Sequence, residues 1–167
     1  MAGSVFGEPQ HRPLNEMHGG CASFDMDVRT ELRTMAGAHE ARIAWPGRGE
    51  QPAMLMPMRP VEIRLLPRDH VALTVPPKRA AAYAGMVAFS VPEGGRYRIS
   101  SGQPVRIEIV EENVPMEAAA FEMQTECPAL FKVVVFPLKG GRLYWLELSS
   151  DVRDVAILLT PDVKGVL

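Results

Sequence analysis

The chain has 167 residues, 47% of them apolar and 23% charged, with a formal net charge of −2. That length supports one domain with a sizeable core, and the charge balance lacks the basic excess of a nucleic-acid binder. No apolar run approaches the roughly 20 residues that cross a bilayer as a helix, so no membrane span is expected.

Residues 1–20 are polar and rich in Gly, Pro and His, and they read as a flexible tail ahead of a single domain over 21–167. The start, Met1-Ala2-Gly3-Ser4, has neither a charged n-region nor an apolar h-region. An exported chain whose signal peptide has been exchanged for an initiator methionine reads this way, and so does a cytoplasmic start. Phe24, Val28, Leu32 and Met35 recur at helical spacing among charged residues, with Asp25 and Asp27 near the front and Gly37 behind. Acidic residues favour a helix N-terminus and glycine ends helices, so a short amphipathic helix is expected over about 24–36.

Ile43 and Trp45 suggest a short strand before the loop Pro46-Gly47-Arg48-Gly49. Val61, Ile63 and Leu65 then alternate with Glu62, Arg64 and Leu66, the period of a half-buried strand. His70–Val75 reads as another, with Val71, Leu73 and Val75 on one face, broken by Pro76-Pro77-Lys78-Arg79. Strand-sized runs follow at Met86–Val91, Arg96–Ser100, Val105–Val110, Pro115–Gln124, Leu130–Leu138, Arg142–Ser149 and Val155–Thr160. Gly and Pro punctuate them, as at Pro92-Glu93-Gly94-Gly95 and Lys139-Gly140-Gly141, which read as hairpin turns. Leu130–Leu138 is almost continuously apolar and reads as a strand buried on both faces. About nine or ten strands of this kind predict an all-β, two-sheet antiparallel sandwich, jelly-roll-like, with one short N-terminal helix.

Cys21 and Cys127 both sit in polar, turn-like surroundings, His18-Gly19-Gly20-Cys21 and Thr125-Glu126-Cys127-Pro128. They are expected to form a disulfide; closing so long a loop contributes about 3–5 kcal/mol in the chain-entropy model. Such a bond implies an oxidising compartment, the periplasm or outside the cell. Neither cysteine has the CxxC spacing of a zinc or redox site.

Met54-Leu55-Met56-Pro57-Met58 places three thioethers at spacing two. On an extended segment they share one face, and soft sulfur selects Cu(I), with His39 or His70 available as an imidazole. Inward-facing core methionines give the same pattern. His11 and His18 lie in the tail, and no histidine has a partner at metal spacing. Asp69-His70 could orient an imidazole, although a turn between strands reads the same way. Glu108, Glu111, Glu112, Glu117, Glu122 and Glu126 read as a solvated face and loop rather than a glycosidase pair or a calcium cage. Asp151 and Asp154 are a further weak calcium candidate. No nucleophile elbow, P-loop or dinucleotide fingerprint is present.

Trp45, Tyr97, Tyr144 and Trp145 are the aromatics suited to a binding platform. In Leu143–Leu148, Tyr144, Leu146 and Leu148 share one face and read as core. Trp145 then lies outside, stacked on a sugar ring or packed under the N-terminal helix.

The stretch Gly94-Gly95-Arg96-Tyr97-Arg98-Ile99, the later Cys127 with Lys132-Val133-Val134-Val135-Phe136, and Cys21 before Phe24–Leu32 resemble small exported bacterial β proteins of unassigned function. Phe89-Ser90-Val91-Pro92-Glu93-Gly94-Gly95-Arg96-Tyr97 is also similar in strand grammar to the bacterial pre-peptidase C-terminal β sandwich. These motifs are structural. The resemblance implies export and a sandwich, and it carries no site residues across. The preferred expectation is a non-catalytic periplasmic or secreted module that binds a partner protein or a glycan. A copper-handling protein using Met54, Met56 and Met58 is the alternative, and a metal-dependent jelly-roll enzyme the third.

Overall fold

A computed structural model describes residues 17–50 and 54–163. Eleven strands run β1 Glu40–Ile43, β2 Val61–Arg64, β3 Leu66–Pro67, β4 Tyr83–Phe89, β5 Gly95–Ser101, β6 Arg106–Glu111, β7 Val114–Pro115, β8 Ala120–Met123, β9 Lys132–Leu138, β10 Tyr144–Ser150 and β11 Asp154–Pro161. They form a six-stranded sheet, β1-β2-β11-β5-β9-β8, and a five-stranded sheet, β3-β4-β10-β6-β7. Every pairing is antiparallel except β1 with β2. The all-β two-sheet sandwich expected from the alternation is therefore the fold.

Period-two patterning explains why the sheets stack. Ile99, Val134, Phe136, Ile157 and Leu159 face inward from one sheet, and Phe89, Ile107, Ile109, Tyr144, Leu146 and Leu148 meet them from the other. Phe89 and Tyr144 stack with ring centroids 5.6 Å apart. Each such buried side chain contributes about 1.5–3 kcal/mol of transfer free energy. β9 is buried along almost its whole length, because Val134 and Phe136 enter the core while Val133 packs on the opposite side with Phe24, Val28 and Leu130.

The helix is shorter than its apolar spacing suggests. α1 spans Arg29–Met35, preceded by a 3₁₀ turn at Cys21–Ser23. Phe24 and Val28 are buried but lie outside the helix. The Asp27 carboxylate accepts the Arg29 backbone N–H at 3.1 Å just ahead of the helix, whose hydrogen bonding begins with Leu32 N–H donating to Val28 O at 2.8 Å. Arg29, through side-chain and then backbone hydrogen bonds, holds the Asp27 carboxyl well below the usual carboxylate range. Residues 17–20, placed in the tail by composition, are docked: Met17 is buried, Gly19 N–H donates to Gln124 Oε1, and His18 pairs with Thr125. Residues 1–16, including His11, lie outside the described residues.

Two further expectations are corrected. Residues 70–75 form no strand; a 3₁₀ turn occupies Arg68–His70, and the N–H groups of Thr74 and Val75 go to the Glu147 carboxylate instead of a neighbouring strand. Pro92–Gly95 and Lys139–Gly141 are not hairpins but corners that carry the chain from one sheet to the other. These corners interlock: Gly141 N–H donates to Val91 O at 2.9 Å, and a Cβ on Gly140 would lie 2.8 Å from Pro92 O. Gly141 also has φ +74°, which favours glycine. A tight two-residue hairpin joins β6 to β7, with Glu112 and Asn113 at φ 49° and 65°.

Candidate functional site

The expected disulfide between Cys21 and Cys127 is present. It lies beside the outward face of the six-stranded sheet, among Phe24, Val28, Leu130 and Val133. On the same face Arg98, buried on β5, donates to Glu31 Oε1 at 2.8 Å, Asp27 O at 2.7 Å and Asp162 Oδ1 at 2.9 Å. Thr160 Oγ1 donates to the second Glu31 oxygen at 2.7 Å. Glu122, also buried, accepts the N–H groups of Asp25 and Met26 at 2.6 and 3.0 Å. Arg98 and Glu122 are thus consumed in holding α1 and its lead-in segment onto the sheet.

The outward face of the five-stranded sheet is covered differently. Trp145 is half-buried and stacks on Trp45, centroids 4.6 Å apart and planes 21° apart, in a cluster with Val71, Leu73, Ala84 and Met86. Its ring thus packs against Trp45, not under α1. Tyr97 is buried, and its hydroxyl donates to Glu93 O at 2.7 Å, so it serves the corner before β5 and not a surface platform. Glu147 and Glu108 lie directly opposite on β10 and β6, and both are buried. Glu147 takes the Thr74 and Val75 amides, and Glu108 accepts Arg106 at 2.8 Å. The solvated-face reading of the acidic stretch is therefore corrected at Glu108 and Glu122, which are both buried: Glu108 is paired with Arg106 of its own strand, and Glu122 takes N–H groups of a segment that only the tertiary fold brings near.

The methionine segment bends where the sequence suggested extension. Leu55 is buried and bridges to Phe89, leaving Met54 half-buried and Met56 exposed. Met58 then adopts φ 66° in a turn and is exposed, its N–H donating to Leu159 O. His70 stands in the 3₁₀ turn that follows Pro67, beside Asp69 and exposed. Leu55 bridges to Phe89 at one end of β4, while Pro67 pairs with Tyr83 at the other. Those anchor points are about 20 Å apart at strand rise, so His70 does not join the methionines. His39 Nε2 contacts Met35 O at 2.7 Å at the end of α1. Among the described residues, no group of three or more His, Cys, Asp or Glu side chains is placed to hold a metal. Asp154 pairs with Arg64 at 3.3 Å, and Asp151 accepts the Ala82 N–H at 3.1 Å, so the proposed calcium loop has its carboxylates directed elsewhere.

What the fold does assemble is a cleft of about 760 Å³ where residues 77–81, 104–106 and 149–152 meet the start of β9. Its wall includes Phe131, half-buried, and its floor Lys132, buried, with Nζ donating to Val105 O at 2.8 Å. Arg106 enters between Glu108 and the carbonyl of Pro76. Lys78 and Arg79 line the mouth, exposed, with no hydrogen bond or ion pair to another described residue. Ser149 adds a hydroxyl. The covering strap is pinned on both sides of this mouth, by Glu147 at residues 74 and 75 and by Asp151 at residue 82.

A smaller hollow of about 300 Å³ lies beside Asp27, Arg96, Arg98 and Asp162, but its charged groups are already paired, Arg96 and Arg98 with Asp162 and Asp27 with Arg29. Sequence reading did not find the cleft. Lys78-Arg79 looked like a strand breaker, and the one available signal was Lys132, a lone cation in an otherwise apolar run. No helix among the described residues is long and apolar enough to cross a membrane. Comparisons with family models, curated proteins and solved structures found no match.

Proposed function

We propose that the chain is an exported, disulfide-braced accessory module that binds a ligand, without catalysing a reaction, in the cleft bounded by residues 77–81. The observation that carries this reading is the set of polar groups at the cleft, Lys78, Arg79 and Ser149, that the fold itself does not use. The cleft's volume falls within the roughly 300–1,000 Å³ of small-ligand sites, whereas a protein partner calls for about 800 Å² of buried surface on each side. A short glycan is therefore favoured over a protein. The strand order supports a jelly-roll reading, β2-β11-β5-β9 facing β4-β10-β6-β7, with β1, β3 and β8 as additions. The disulfide supports export, as does the resemblance of Phe89–Tyr97 to pre-peptidase C-terminal sandwiches.

The test is an amide chemical-shift titration with neutral and acidic oligosaccharides, on the native chain and on Ala80→Trp, which fills the cleft from an exposed position. Saturable shifts confined to residues 77–81, 104–106 and 149–152, abolished by Ala80→Trp, are expected. Binding that shifts other residues, or that survives Ala80→Trp, would refute the assignment.

A copper reading keeps one supporting observation, the exposed thioethers of Met56 and Met58. On that reading Cu(I) raises the melting temperature of the native chain but not of the variant with Met54, Met56 and Met58 all changed to Leu. Equal response of the two proteins sinks it.

A further inference from the structure

We infer that the cleft recognises an acidic sugar, a glycan bearing carboxylates such as a uronic acid oligomer; this rests on the cleft being the ligand seat. Three features of its lining lead there. The first is charge. Lys78, Arg79, Arg106 and Lys132 face only Glu108 and Asp151 as lining carboxylates. The chain as a whole carries a net charge of −2, so a cation excess at this one place is a local concentration against the overall sign. A cleft lined by one sign of charge focuses the field on a ligand of the other.

The second feature is which cations are available. Arg106 is committed to Glu108 and to Pro76 O, and Lys132 to Val105 O. Lys78 and Arg79 have no such commitments among the described residues. They sit on a backbone whose flanks are tied to the sheet at residues 74, 75 and 82 and stiffened by Pro76-Pro77. Their charges are therefore aimed at the cleft mouth with less backbone entropy left to lose on binding. Charge-assisted hydrogen bonds from guanidinium or ammonium to carboxylate are roughly twice as strong as neutral ones.

The third feature separates a sugar from a bare anion. Half-buried Phe131 offers an apolar ring to the cleft, and Ser149 lines the same cleft with a hydroxyl. An inorganic anion uses neither. A pyranose presents an apolar C–H face and hydroxyls as well as its carboxylate, and it matches all three.

The experiment is calorimetric and shift titration of the whole chain with trigalacturonic acid, its methyl ester and inorganic phosphate. The acid is expected to bind at least tenfold more tightly than the ester at low salt, with the difference collapsing near about 0.5 M salt as screening shortens the field. Lys78→Ala with Arg79→Ala is expected to erase the acid preference; both positions are exposed, so the melting temperature should hold. Phe131→Ala should weaken acid and ester alike. Ester binding equal to acid, with shifts in the cleft, overturns the acidic class while leaving the cleft as the ligand seat. Phosphate competing as well as the trisaccharide overturns the sugar. Binding of none of the three also overturns it, and the neutral panel with Ala80→Trp then decides the cleft reading separately.

Discussion

The two outward faces of the sandwich use the same device to different ends. On each, a strand carries a buried carboxylate that accepts backbone N–H groups from the segment lying across it: Glu122 takes Asp25 and Met26, and Glu147 takes Thr74 and Val75. The first segment is also locked by Cys21–Cys127, a helix and the Arg98–Glu31 pair, with apolar side chains filling beneath it. The second has no covalent anchor, and its regular structure is limited to one 3₁₀ turn. Its far end runs over a cleft rather than over packed side chains. Hydrogen-bonded carboxylates alone position a strap; it takes a packed apolar layer to close the space under it.

The largest predicted effect tests that lock. Changing Cys21 and Cys127 to Ser should lower the unfolding free energy by about 3–5 kcal/mol in a denaturant titration, with little change in the cleft. Arg98→Leu should come next. It strands the buried Glu31 carboxylate, and breaking such a pair costs about 3 kcal/mol or more. Loss of α1 helicity should accompany it in the far-ultraviolet spectrum.

Glu147→Ala and Glu122→Ala sharpen the comparison. Each removes charge-assisted hydrogen bonds and should cost about 1.5–3 kcal/mol. Hydrogen exchange should part them: amides of Thr74 and Val75 speed up strongly without Glu147, whereas Asp25 and Met26 stay partly protected because the disulfide is close by. Equal exchange in the two variants would break the distinction between a locked and an open cover. Ser100→Ala is a smaller test. Its buried hydroxyl has no partner under the sealed face, so removal should be neutral or stabilising by up to about 1 kcal/mol. Asp27→Asn should have the smallest effect of these substitutions, because its ion pair with Arg29 is exposed. The Asp27 carboxyl titrates below its ordinary range in the folded chain, so its contribution is present above the unfolded value and lost only as pH falls through the folded one. An acid titration of α1 helicity, with the native curve lying below that of the variant in midpoint pH, checks this.

The sandwich was legible because alternation is a local property: Val61, Ile63, Ile107 and Ile109 announce their faces by spacing alone. The disulfide was legible from two cysteines in turn-like surroundings. The buried carboxylates were not. Glu108, Glu122 and Glu147 alternate with apolar residues as solvated side chains do, and the N–H groups that Glu122 and Glu147 accept come from segments tens of residues away. Residues 71–75 misled for the converse reason. Val71 and Leu73 do pack on the five-stranded sheet, but their segment's amides satisfy a carboxylate, so spacing without a strand partner gives no strand. The corners at Gly94 and Gly140 carried the right residues for a turn, and which sheet the next strand joins is decided by burial rather than by turn chemistry. The cleft lay beyond reading because its lining comes from several loops and strand ends distant in sequence.

The position of β11 has a consequence in time. It lies between β2 and β5, and its ion pair Arg64–Asp154 joins positions 90 residues apart. β2 therefore waits, during synthesis, for a strand made long after it, with Val61 and Ile63 unshielded meanwhile. Cys21 waits similarly for Cys127, 106 residues downstream. At about 5–20 residues per second, each emerging molecule spends several seconds as an unfinished sheet with an open thiol. Such long-range pairing is slow to form, and in that interval a chaperone or a thiol oxidant has its opportunity to act.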